Sequence, residues 1–158
     1  MSLLTLNKLF LCTLLILLMG CKPATTTTTA PPLSSPKCLS SQSPCFIEDE
    51  FGKFAVTFDV ADVRAEVPFH IIFNYQGKYK IKEVTAFLEG KNMFMGKVPL
   101  FFNNVNSEIG REVFDAETMV VACSEPNMVW NLWITVTLIG EDQQSIEKKL
   151  LINFTSHY

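Results

Sequence analysis

The chain has 158 residues, 48% of them hydrophobic and 18% charged, with a formal net charge of −3. That balance excludes a disordered acidic tail and a basic nucleic-acid binder, and the length is one domain's worth once a targeting segment is set aside. Phenylalanine is over-used at 13, and β-branched residues crowd the second half, which points to an all-β core.

Residues 1–20 read as a secretory signal peptide. A short start carrying Lys8 leads into the apolar run from Leu9 to Met19, which is too short to span a bilayer comfortably. The run ends in Leu18-Met19-Gly20-Cys21, which resembles a bacterial lipobox, the motif after which the cysteine is lipidated. The resemblance implies removal of Cys12 with the leader and acyl chains, palmitate among them, on Cys21. Several acyl chains on one residue anchor stably, at ~0.8 kcal/mol per buried methylene, where a single chain is marginal. By resemblance to enterobacterial sorting, Lys22 at the position after the cysteine favours the outer membrane, with the protein facing the periplasm.

Residues 21–37 form a tether. Pro23, the threonine run Thr25 to Thr29, Pro31-Pro32, Ser34-Ser35 and Pro36 have nothing with which to bury a core. In extended form, at ~3.1 Å per residue, such a segment reaches on the order of 50 Å.

From Cys38 to Tyr158 the pattern is of strands separated by turn residues. The expected strands are Lys53 to Val60, with Phe54, Val56, Phe58 and Val60 on one face, then Val67 to Tyr75 and Tyr79 to Leu88. A fourth is Lys97 to Phe102, followed by Asn103 to Ser107 as a polar turn, and a fifth is Val113 to Ala122. Val129 to Ile139 is the longest, and Ile146 to Phe154 closes the domain after a Gly140-Glu141-Asp142 turn. Seven strands with no amphipathic helix indicate a seven-stranded immunoglobulin-like β-sandwich. Met119, mid-strand beside Val120 and Val121, is expected in the core. Glu48-Asp49-Glu50 is expected on a solvated loop, and His70 on the solvent side of its strand.

An oxidising compartment favours disulfides. Of Cys38, Cys45 and Cys123, either Cys38 pairs with Cys45 across a short turn-rich loop or Cys45 pairs with Cys123. The first pairing leaves Cys123 free.

Two segments stand apart from ordinary sandwich sequence: Glu89-Gly90-Lys91-Asn92-Met93-Phe94-Met95-Gly96 and Cys123-Ser124-Glu125-Pro126-Asn127-Met128-Val129-Trp130. Each falls in a connection between expected strands, and in a sandwich such connections can meet at one end. Thioether and thiolate ligands select Cu(I) over harder ions, so Met93, Met95, Cys123 and Met128 are candidate metal ligands. Trp130, with its large π face, is a candidate cation cap. The competing readings are core packing, which methionine also serves, and a patch for a protein partner.

The arrangement Met-x-Met-Gly, a strand, then Cys-x4-Met-x-Trp opening a long strand resembles small periplasmic sandwich domains of the YtkA-like and FixH-like group. It is similar also to a set of proteobacterial lipoproteins with a leading cysteine pair and a closing Phe-rich strand. The resemblance implies Cu(I) delivery associated with cytochrome oxidase assembly, with Met93, Met95, Cys123 and Met128 at the site. Many domains of that kind carry histidine beside methionine, whereas here the two histidines are His70 and His157. There is no phosphate loop, nucleophile elbow, paired metal-binding histidine or C-x-x-C, so the expectation is a binding module and not an enzyme. The alternative is a structural or assembly lipoprotein that contacts an envelope protein.

Overall fold

A computed structural model describes residues 44–158. The expected signal peptide, Cys12, the candidate lipidation residue Cys21, the expected tether and Cys38 lie outside the described residues. Those that are described fold as ten strands and no helix: β1 (Cys45–Asp49), β2 (Gly52–Phe58), β3 (Val63–Arg64), β4 (Phe69–Gln76), β5 (Lys80–Gly90), β6 (Lys97–Phe101), β7 (Asn103–Glu108), β8 (Arg111–Thr118), β9 (Met128–Ile139) and β10 (Ser145–His157). They make two five-stranded sheets, ordered β1-β2-β4-β8-β7 and β3-β10-β9-β5-β6. All pairings are antiparallel except β3 with β10.

The core between the sheets follows from period-2 alternation. Along β9 the inner row is Met128, Trp130, Leu132, Ile134, Val136 and Leu138, all buried. Facing it, β4 contributes Phe69, Ile71, Phe73 and Tyr75. The phenylalanines form two groups: Phe58, Phe69 and Phe154 have centroids 5.1–6.1 Å apart at one end, while Phe73 gathers Phe54, Phe102 and Phe114 at 6.2 Å each. Such ring pairs contribute beyond their buried area.

Three strands depart from the sequence expectation. β7 occupies the segment read as a polar turn, and all six of its residues are exposed. Pairing with β8 holds it, so it carries no apolar alternation to read. One residue, Phe102, separates β6 from β7; it turns inward onto Phe73 as the chain crosses between sheets. β1 incorporates Glu48 and Asp49, so that charge run is largely strand, and Asp49 forms an ion pair with Lys148 on β10. β3 is two residues long, with Val63 fully buried.

The strand expected over 113–122 ends at Thr118, and Met119 is 43% exposed. Val120 takes the inward position instead, because the chain leaves the sheet after Thr118 and the alternation no longer sets direction.

Polar links tie the two sheets. The β5 ladder shifts register between Ile81 and Glu83, and beside that shift the Ile81 N–H bonds a side chain. The buried Glu112 on β8 accepts that N–H through Oε1 at 2.7 Å, reaching across from the other sheet. Tyr75 donates its hydroxyl to the Phe51 carbonyl at 3.0 Å and accepts from the Tyr79 N–H at 3.2 Å; burial pushes this phenol above its ordinary pKa.

Candidate functional site

The two methionine-bearing connections meet at one end of the sandwich. β5 ends at Gly90, whose register partner is Trp130 on β9. Just beyond, Lys91 N–H donates to the Val129 carbonyl at 2.8 Å. Asn92 then locks the loops together: its Nδ2 donates to the Asn127 carbonyl at 3.2 Å and its Oδ1 accepts the Val129 N–H at 3.0 Å. A single side-chain amide thus replaces the next rungs of the ladder.

Gly90 is where the methionines converge. A β-carbon placed there would stand 2.4 Å from Met128 Cε, 3.1 Å from Met95 Cγ and 2.0 Å from the Met93 carbonyl oxygen. No side chain fits, so the close approach depends on glycine. Met128 is 2% exposed, whereas Met93 and Met95 are half-buried against the core. Between them Phe94 points away and is 92% exposed.

Cys123 is a free thiol, half-buried, and donates to the Glu125 carbonyl at 3.5 Å. The pairing of Cys45 with Cys123 is therefore not formed. Cys45 is buried at the head of β1, and the pairing with Cys38 involves a residue outside those described. Trp130 stands next to Met128 in the inner row of β9, fully buried, and donates Nε1–H to Ser156 Oγ at 2.9 Å.

The Gly90 cradle brings Met95 and Met128 together beside the Met93 carbonyl, while Cys123 lies in the connection that leads to Met128 and packs against the domain core. Among the described residues no group of three or more His, Cys, Asp or Glu could hold a metal ion. Sulfur donors without imidazole suit Cu(I) and not the harder ions.

The same end gathers further connections. Ala65 N–H donates to the His157 carbonyl and Glu66 N–H to the Val120 carbonyl, each at 2.8 Å, while His157 Nδ1 lies 3.3 Å from Asn127 Oδ1. Val67, Met119, Val121 and Tyr158 are exposed apolar side chains on these joined segments. An open depression lined by Lys78, Lys80, Lys82 and Glu141 lies at the opposite end, where β5 begins and β9 ends, away from the methionines.

His70 occupies the outer face of β4, as its alternation indicates, with its ring Nδ1 2.9 Å from Asp115 Oδ2. The hydrogen bond to Asp115 raises its pKa above the ordinary value, reinforced by the charges of Asp115, Asp59 and Glu117. Asp115 pairs in register with Ile72 and not with His70, so only the assembled sheet reveals this diagonal contact.

No protein-family model matches the chain, and no curated protein or solved structure is significantly similar to it.

Proposed function

We propose that this chain is a lipid-anchored, periplasm-facing binding module that holds Cu(I) for handover and catalyses nothing. The observation that carries the reading is the convergence of Met95 and Met128 on Gly90, with the two connections locked by Asn92. Met93 and Met95 on the rim, Met128 from the core side and Cys123 form the donor set. Trp130, beside Met128, backs it as the cation cap. A bound Cu(I) would supply a transferable soft ion, and the protein's part is to hold it among thioethers that resist oxidation better than thiols. Oxidising conditions also favour the Cys38–Cys45 staple at the entry to the domain.

The strand orders β2-β4-β8-β7 and β10-β9-β5-β6, with β3 running parallel to β10, support an immunoglobulin-like reading of the sandwich.

A second reading, an assembly lipoprotein that contacts an envelope protein, is favoured by Phe94 at 92% exposure on the same rim, with Met119 and Val121 exposed nearby.

The test is a Cu(I) competition titration on the full chain in detergent, run oxidised and reduced. Stoichiometric binding is expected, and the Met93→Leu, Met95→Leu variant should lose it. Leucine keeps volume and apolarity, at a stability cost under about 1.5 kcal/mol. If the double variant binds copper as the parent does, or neither binds, the reading is wrong.

A further inference from the structure

The first and last strands of the domain carry a lysine–carboxylate pair set unlike the others. On β1 the more buried row is Cys45, Ile47 and Asp49, and on β10 it includes Ile146, Lys148 and Leu150. Asp49 and Lys148 therefore turn toward the inside of the sandwich and meet there, although β1 and β10 belong to different sheets. Among the described residues the remaining lysine–carboxylate pairs, Lys53–Glu48, Lys78–Glu141 and Lys149–Glu147, are 3.1–3.3 Å apart with side chains more than half exposed. For Lys148 and Asp49 the side-chain exposures are 27% and 22%.

The contact also differs in kind. Lys148 Nζ touches Asp49 Oδ2, yet this oxygen is buried and accepts no hydrogen bond. The nitrogen lies against the carboxyl group without hydrogen-bond alignment, which leaves it placed as a nucleophile beside a carbonyl carbon. The other oxygen, Oδ1, accepts the Phe51 N–H at 2.9 Å. Phe51 also walls the nitrogen: its ring centroid is 5.5 Å from Nζ and 6.1 Å from that of Tyr79. Ions held against apolar walls lose hydration that a neutral amide does not need.

We propose that Lys148 and Asp49 condense to an intramolecular isopeptide bond, Nζ to Cγ, with loss of one water. The ammonium passes a proton to Oδ2, leaving a neutral amine and a carboxylic acid. The nitrogen lone pair then adds to Cγ, and the Phe51 N–H stabilises the charge that gathers on Oδ1. A second proton moves from nitrogen to Oδ2, the Cγ–Oδ2 bond breaks, and Oδ2 departs as water. The third proton stays on the amide nitrogen, so no oxidant, cofactor or further reactant enters. The bond fastens β1, an edge strand that pairs with β2 alone, to the strand that closes the domain. Local opening that would begin at the first strand is thereby blocked.

The test is mass spectrometry of the purified full chain, denatured and reduced. Lys148→Arg is the reference, because arginine keeps the charge but is never deprotonated to a nucleophile. After allowance for the exchanged residue, the parent should be lighter than this variant by one water, about 18 Da. Trypsin should release from the parent a branched peptide joining residues 38–53 to residues 112–149, uncut after Lys148 because its amine is acylated. Asp49→Ala should lose that peptide. The parent digest carries the test even if either variant fails to fold. A parent that retains the water, an ordinary cut after Lys148, or a branched peptide that survives in Asp49→Ala would each overturn the proposal.

Discussion

Gly90→Ala is the sharpest test of how the methionine end is built. The added methyl would stand 2.0 Å from a backbone carbonyl, that of Met93, and 2.4 Å from Met128 Cε. The methionine methyl can swing aside, but the carbonyl cannot move without shifting the connection from Lys91 to Gly96 and straining the Asn92 lock. Overpacking of this kind costs about 2–3 kcal/mol. For a domain of this size that lowers the thermal midpoint by about 10 °C. Gly96→Ala is the matched control. Its φ is +70°, so alanine is strained there by ~1 kcal/mol, yet nothing lies within 4 Å of the added atom. The assay is urea unfolding of both variants, together with methyl NMR of ¹³C-labelled methionine. Gly90→Ala should be the less stable and should move the Met95 and Met128 resonances, while Gly96→Ala leaves Met128 in place. Equal stabilities with an unmoved Met128 signal would refute the close packing at Gly90.

Two further outcomes follow from the polar contacts. Glu112→Leu should destabilise by about 1–3 kcal/mol, because it orphans the Ile81 N–H at the β5 irregularity, while Glu112→Gln, which keeps an acceptor, should cost much less; urea unfolding distinguishes them. His70 should titrate above the ordinary histidine value by NMR, and Asp115→Asn should bring it down. Because the folded value is raised, the contribution of this pair is fully present below the unfolded pKa and is lost as pH rises through the folded one.

The longer strands with a buried face were legible from alternation. β2, β4 and β9 declare themselves by apolar residues at every second position, and β5 and β10 do so apart from the shift at Ile81/Glu83 and from Lys148. β7 was not legible, because an edge strand whose six residues are all exposed is held by main-chain bonds that leave no side-chain pattern. Met119 was misread for the related reason that alternation sets direction only while the backbone remains in a sheet.

The residue types of the candidate site were likewise present in the sequence: paired methionines in one connection, and a cysteine and a methionine in another. What they could not specify is their meeting. The Gly90 cradle, the Asn92 lock and the Phe87–Trp133 ring pair each join residues more than thirty positions apart. They exist because antiparallel registers between β5, β9 and β6 bring those positions side by side. Local chemistry is written along the chain, whereas proximity across strands is decided by register, which is a property of the assembled sheets.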